Sequence, residues 1–198
     1  MENFMEKLKS VLREAPATMT FILINSAIFV ILNALPGTRD YLLLNHELQV
    51  ILQRPWTLVT VFFSQELHIH LLMNMGLFFF FGREMEKHAG SVAVMATYMI
   101  CGFLGSLTIP PLAPFIGWTT GLVAGASAAV WGVVAAVAVL RPTTRFWGHP
   151  AKHYTMALFA GNALLFIMNP DVSIGAAAHA VGILAGLVCG YGFRRRQA

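Results

Sequence analysis

Six apolar segments restrict the fold of this chain more than any other feature. They lie at residues 18–35, 67–81, 91–108, 127–140, 154–168 and 177–193. Only 11% of the 198 residues are charged, whereas a soluble domain has about a quarter. Most of the surface therefore faces lipid, where each segment must satisfy its own backbone hydrogen bonds. The sequence predicts an all-α membrane protein, a bundle of six transmembrane helices.

Several segments are shorter than the about 20 residues that cross a bilayer. We expect their ends to extend into flanking loops, or the bilayer to thin around them. The connection at residues 36–66 is long for a loop and rich in apolar and aromatic side chains. It is predicted to lie partly in the membrane interface, with Trp56 as an anchor.

The basic residues predict the orientation. With six spans, most of them fall on one side: Lys7, Lys9, Arg13, Arg83, Lys87, Arg141, Arg145, Lys152, Arg194, Arg195 and Arg196. Arg39 and Arg54 fall on the other side, so the positive-inside rule places both termini in the cytoplasm. The net charge of +4 then reflects topology, and no nucleic-acid partner is expected. We predict an amphipathic N-terminal segment at 1–17, the six-helix core at 18–193 and a basic tail at 194–198.

Four strongly polar side chains share one membrane depth in this topology. They lie near the outer ends of three predicted helices: His70, Asn74, Ser127 and His179. Polar groups in membrane segments are costly and are by default functional candidates. The alternative is an interhelical hydrogen bond, which is our interpretation of Asn25 and Asn162.

These residue types suit acyl transfer. A serine hydroxyl becomes a nucleophile when a neutral histidine accepts its proton, and Ser127 with His179 supplies such a pair. As the first residue of a helix, Ser127 also offers a backbone N–H that has no intrahelical partner. His70 and Asn74 are four residues apart, so they share a helix face and can donate to an oxyanion. The pattern predicts a hydrolase site.

Small residues predict that the fourth and sixth helices touch. Both carry them at four-residue spacing: Ala128, Gly132 and Ala136, and Gly182, Gly186 and Gly190. Such faces let membrane helices approach closely, which would bring Ser127 and His179 together. Trp131, one turn beyond Ser127, would then pack on the imidazole, although a core or lipid-facing aromatic explains it equally well.

Four motifs in these segments resemble those of the rhomboid intramembrane serine proteases. They are GxS at Gly125-Ala126-Ser127, AHxxGxxxG at residues 178–186, HxxxN at residues 70–74 and Gly-x-x-x-Glu at residues 82–86. The resemblance extends over residues 18–193 and implies a six-span bundle of rhomboid type. Three positions depart from the family pattern: Ala128 replaces a glycine, Trp131 a tyrosine and Gln65 a histidine.

The resemblance implies an enzyme that cleaves other membrane proteins within or beside a transmembrane helix. Ser127 would be the nucleophile and His179 the general base, while the Ser127 N–H, His70 and Asn74 would hold the oxyanion. Gly125, Trp131, Gly182 and Gly186 would support them. It also implies small residues at the cleavage site, lateral access near the fifth helix and a bacterial inner membrane. The natural substrate and the oligomeric state stay open.

No cofactor or metal is expected. His68 and His70 form an HxH string, but there is no HExxH motif and no third ligand. Asp171 is a candidate third member of the site, yet a loop aspartate next to Pro170 is more often a turn residue. Two other classes of protein stay open: a non-catalytic rhomboid-like protein that binds membrane helices, and a small transporter, which would need polar groups at several depths.

Overall fold

The computed structural model describes residues 6, 9–10, 12–118, 121–168 and 174–197. The described chain is mostly helical, which confirms the helical class. Its helices of 14 residues or more, numbered in chain order, are α1 (Pro16–Ala34), α2 (His68–Ala89), α3 (Ser91–Ser106), α4 (Ser127–Leu140), α5 (Ala151–Met168) and α6 (Ile174–Arg195).

Helix α4 forms the centre of the bundle. It contacts α2, α3, α5 and α6, and nearly all of its side chains are buried. Alanine and valine dominate its sequence, so neighbouring helices approach from several sides. Helices α1 and α5, in contrast, leave most of their side chains at least partly exposed.

Three of the described helical segments are long and apolar enough to cross a membrane: Pro16–Ala34, Ser91–Leu112 and Ile174–Arg195. Helix α4 is apolar but has only 14 residues, about 21 Å at about 1.5 Å per residue. The hydrocarbon core of a bilayer is about 30 Å thick. A helix surrounded by other helices does not have to match that thickness, so α4 can be short. The number of six spans stays a prediction.

Helix α2 continues past the predicted end at residue 81 because Glu86 is built into a junction of three helices. Its carboxylate accepts hydrogen bonds from the backbone N–H groups of Ala17 (2.8 Å) and Thr18 (2.9 Å), the Thr18 hydroxyl (2.7 Å) and the Ser91 hydroxyl (2.6 Å). Two of these donors are among the first N–H groups of α1, which have no partner inside that helix. The buried charge therefore ties the starts of α1 and α3 to the end of α2.

A short β-hairpin with a two-residue turn lies between α4 and α5. The all-α prediction missed this hairpin. Strands β1 (Arg145–Phe146) and β2 (His149–Pro150) pair antiparallel. The turn residues Trp147 and Gly148 both have positive φ, 47° and 84°, as the type I′ turn of a two-residue hairpin loop requires. The Trp147 ring packs edge-to-face on Phe80 of α2, with the ring centres 4.6 Å apart, which stabilises a conformation unusual for tryptophan.

The connection from Pro36 to Glu66 is folded onto the bundle. It contains short helices at Arg39–Leu42, Leu48–Gln53 and Thr57–Thr60, and Trp56 Nε1 donates to the carbonyl of Tyr41 at 2.8 Å. Half of the Trp56 surface is exposed. Leu44 exchanges two backbone hydrogen bonds with Val123, of 3.0 and 2.8 Å, and so joins this connection to the chain that leads into α4.

Candidate active site

Ser127 is the first residue of α4, and the chain before it is held in place by its backbone. The N–H of Gly125 donates to the carbonyl of Val61 at 3.1 Å. Gly125 has a φ of 154°, and a methyl group there would lie 3.4 Å from Ser127 Oγ. At this helix start the Ser127 N–H has no intrahelical partner, and the helix dipole is positive. Both features favour negative charge beside the hydroxyl.

The structure brings Ser127 and His179 together. Ser127 Oγ lies 2.6 Å from His179 Nε2, although the two residues are 52 positions apart. Glycines in α6 make this approach possible, because their Cα atoms rest directly on the backbone of α4. A methyl group on Gly182, Gly186 or Gly190 would overlap the carbonyl oxygen of Ala128, Gly132 or Ala136, respectively. The small-residue contact therefore sets the distance between hydroxyl and imidazole.

Asn162, on α5, holds the other side of the imidazole. Its Nδ2 donates to the carbonyl of Ala176 at 2.9 Å, and its Oδ1 lies 2.9 Å from His179 Nδ1. A carbonyl oxygen only accepts, so the orientation of this carboxamide is determined and Oδ1 faces the ring. Nδ1 must then carry the proton, which leaves Nε2 free to accept the Ser127 hydroxyl proton.

Sequence reasoning assigned Asn162 an interhelical hydrogen bond, and it does make one, to Ala176. Its contact with His179 was missed. The available signal was a lone carboxamide in the otherwise apolar segment 154–168. Nothing in the sequence states which helix that carboxamide faces.

Trp131 lies on the face of the imidazole. The ring centres of Trp131 and His179 are 4.2 Å apart, and the planes are inclined by 34°. Of the two interpretations of this tryptophan, the structure shows the contact with the histidine. With Ser127, Trp131 and Asn162 around it, the ring has neighbours on two edges and one face.

Asn74 and His70 have a different setting. Asn74 is buried, and its Nδ2 donates to Gln65 Oε1 at 2.9 Å. Gln65, which replaces a histidine of the family pattern, belongs to a chain of polar contacts that continues through Asn25 to Tyr98. His70 is exposed in the first turn of α2. Among the described contacts, no hydrogen bond joins His70 or Asn74 to Ser127 or His179.

A cavity of about 60 Å³ opens beside the serine and the histidine. A site needs about 10–15 Å³ to hold one water, so several fit here. Small residues contributed by α3, α4, α6 and the chain before α4 form much of its wall, among them Gly102, Ala124, Ala128 and Gly175. The cavity can hold water and a small side chain next to the hydroxyl.

Within the described part of the chain, no three His, Cys, Asp or Glu side chains converge as ligands of a metal ion would. Asp171, considered above as a third member of the site, lies outside the described residues. The chemistry that the described groups can perform is therefore that of an activated hydroxyl beside an oriented base.

The chain belongs to the rhomboid family, because residues 52–196 match the Rhomboid domain. It is similar to RHOMBOID-like protein 1 of Arabidopsis thaliana, with 28% identity over 163 residues, which are 79% of this chain and 38% of that protein. It is also similar to RHOMBOID-like protein 6, mitochondrial, of Arabidopsis thaliana, with 30% identity over 142 residues, 69% of this chain and 43% of that protein. The chain thus spans about two fifths of the length of these relatives. The family predicted from the motifs is confirmed.

Proposed function

We propose that the protein is an intramembrane serine endopeptidase that hydrolyses peptide bonds within or beside transmembrane helices of other membrane proteins. The observation that carries the proposal is the 2.6 Å contact between Ser127 Oγ and His179 Nε2. Membership of the rhomboid family supports it. Ser127 is the nucleophile and His179 the general base.

The reaction follows from these two groups. As Ser127 Oγ bonds to the scissile carbonyl carbon, its proton passes to His179 Nε2, and the carbonyl oxygen becomes an oxyanion. Nε2–H then protonates the departing amine, which leaves an acyl group on Ser127. A water from the adjacent cavity attacks this ester with His179 again as the base. The Ser127 hydroxyl is regenerated and the carboxylate product leaves.

Three groups hold the oxyanion in this proposal: the Ser127 N–H, His70 and Asn74. Each donor of this kind lowers the barrier by about 3 kcal/mol. Asn74 has a second N–H besides the one given to Gln65. His70 is exposed, and its side chain would turn towards a bound substrate.

The proposed topology has six spans, one for each of α1 to α6, with both termini in the cytoplasm of a bacterial inner membrane. Glu86 supports it, because a buried carboxylate that collects hydrogen bonds from α1 and α3 joins the ends of three helices at one membrane face. Residues 18–193 form the core in this proposal, with the N-terminal segment 1–17 and the tail 194–198 on the same side.

The substrate is a transmembrane helix with small residues at the scissile bond. A helical peptide bond is protected by its own hydrogen bonds, so the substrate must unwind locally to reach Ser127. The cavity beside Ser127 has room for a small side chain. Access from lipid runs beside α5, whose side chains are mostly exposed.

A non-catalytic protein that binds membrane helices is the second candidate, and Ala128 in place of glycine is the observation in its favour. The methyl group of Ala128 fits against Gly105 of α3, where a second methyl would lie only 2.8 Å away. The alanine is therefore accommodated without displacing Ser127. We rank the peptidase first for this reason.

Cleavage of a fluorescent transmembrane reporter by purified protein in detergent tests the proposal. Ser127→Ala and His179→Ala should each abolish cleavage, because each removes one partner of the proton transfer. Ser106→Ala is the matched control: Ser106 lines the same cavity but donates to the carbonyl of Leu58 at 2.8 Å. Cleavage that persists in Ser127→Ala, or a wild type that binds the reporter without cutting it, contradicts the proposal.

A further inference from the structure

Helix α5 touches the site through a single side chain. Within residues 159–168, all of which the structure describes, only Asn162 is buried. Exposed apolar residues surround it in the sequence, among them Phe159, Leu165 and Ile167. In residues 159–168 of α5, the Asn162 carboxamide is therefore the one buried side chain, and it contacts His179.

Both polar atoms of the Asn162 carboxamide make hydrogen bonds. Nδ2 donates to the carbonyl of Ala176, one turn before His179 on α6, and Oδ1 accepts from His179 Nδ1–H. A neutral imidazole has one N–H, and its position decides which nitrogen is the base. With the proton held on Nδ1, Nε2 is the base and faces Ser127 Oγ.

We infer that Asn162 is the positioning residue of this site: its carboxamide keeps His179 in the tautomer and orientation that accept the Ser127 proton, and it ties that orientation to the position of α5. The inference rests on the proposed function. It adds a third member to the Ser127–His179 pair, on a different helix from either. A displacement of α5 that breaks the contact with Nδ1 releases the imidazole as well.

A neutral carboxamide suits this location. An aspartate in its place would lie buried among apolar residues and would favour the protonated imidazole, which is no base. Asparagine accepts the same Nδ1 proton without that charge. The groups in contact with the imidazole are Ser127 and Trp131 on α4 and Asn162 on α5. Among the described residues, His70 on α2 is a further titratable side chain near this site.

Two variants at position 162 separate the acceptor from the donor. Asn162→Leu has nearly the same shape and offers neither. Asn162→Asp keeps an oxygen for Nδ1 and loses the donor to Ala176. Thr155→Val is the matched control, because Thr155 is the other buried polar residue of α5. Its hydroxyl has no hydrogen-bond partner among the described residues.

The readout is the rate at which a fluorescent alkyl fluorophosphonate labels Ser127, measured against pH in detergent. Labelling, in which Oγ displaces fluoride from phosphorus, needs the activated hydroxyl but no transmembrane substrate. Asn162→Leu should slow it at least about tenfold, part of the about 10²- to 10⁴-fold that a positioned base contributes. Asn162→Asp should stay within about fivefold of wild type at its own optimum, with the acidic limb of the profile moved to higher pH. Thr155→Val should match wild type.

The inference is overturned if Asn162→Leu labels within twofold of the wild-type rate. It is also overturned if both variants lose the same activity with an unchanged pH profile, since that result marks a structural contact only. A wild type that neither labels nor cleaves the reporter contradicts the proposed function instead. Thermal unfolding of each variant identifies a loss of rate that is due to misfolding.

Discussion

The contacts that α6 and α5 make around His179 differ in kind. Helix α6 meets α4 through backbone: Gly182 and Gly186 leave no room even for a methyl group against Ala128 and Gly132. Helix α5 meets the site through one side chain, Asn162, and exposes most of the rest. Packed backbones are stiff, whereas a single hydrogen-bonded side chain can be released. The closely packed backbones of α4 and α6 therefore set the distance from hydroxyl to imidazole, whereas the orientation of the imidazole depends on a helix with few buried side chains.

The largest effect on stability and activity should come from a single methyl group added to the contact between α4 and α6. In Gly186→Ala the new Cβ would overlap the carbonyl oxygen of Gly132, so the helices must separate. We expect a loss of about 3 kcal/mol in the free energy of unfolding, at the upper end for overpacking, and little remaining cleavage. Thermal unfolding and reporter cleavage measure both quantities.

Gly192→Ala is the control for this variant, because it lies on the same helix and a methyl group there meets nothing within 4 Å. It should behave as wild type. Equal stability of the alanine variants at 186 and 192 would show that the contact between α4 and α6 is not tight.

An intermediate effect is expected where a side chain of α4 supports the His179 imidazole. Trp131→Ala removes the indole that lies 4.2 Å from the His179 ring centre. The imidazole gains freedom, and kcat should fall about tenfold, equivalent to about 1.4 kcal/mol in the barrier, with KM nearly unchanged. Steady-state kinetics on the reporter separates these constants.

Trp131→Phe keeps an aromatic face and should recover most of the rate. If the alanine variant raises KM and leaves kcat intact, the tryptophan contacts substrate and does not support the histidine.

The smallest effect is expected for a glycine-to-alanine change in α5. Gly161 lies beside Asn162 on α5, and a methyl group there meets nothing within 4 Å. We expect Gly161→Ala to change the free energy of unfolding by less than about 1 kcal/mol, in the stabilising direction, because alanine has the higher helix propensity. Denaturant titration compares it directly with Gly186→Ala. A loss as large as that of Gly186→Ala would mean that α5 is packed as tightly as α6.

The helices and the two reacting groups were predictable to different degrees. The segment 127–140 coincides with α4 because a glycine-turn sequence leads into a continuous run of small apolar residues. The end of α2 was placed too early, because a charged residue after an apolar segment indicates a loop. The hydrogen-bond donors on α1 and α3 that allow Glu86 to be buried are not evident from the sequence. The hairpin at Trp147 was missed because a tryptophan with positive φ is rare and is stabilised here by distant rings.

The site was predictable where a motif names a residue type and a spacing. Ser127, His179 and the glycines of α6 were found in this way, and the structure brings them together. Gln65 lies in the connection before α2, as predicted, but its hydrogen bond to Asn74 was missed. Its partner is nine positions away on another element, and no local pattern reveals such a pair.

The sequence by itself determined the helical class, the family and the identity of the serine and histidine, because apolar run length, small-residue spacing and rare polar residues are local properties of the chain. Only the tertiary structure decided that Asn162 faces His179, and with it which imidazole nitrogen is free. The rotation of a helix about its axis depends on all of its neighbours. Because α5 has few buried residues, its sequence pattern does not predict which face points into the bundle. A single polar contact, which no local pattern in the sequence predicts, thus joins α5 to the closely packed pair of α4 and α6.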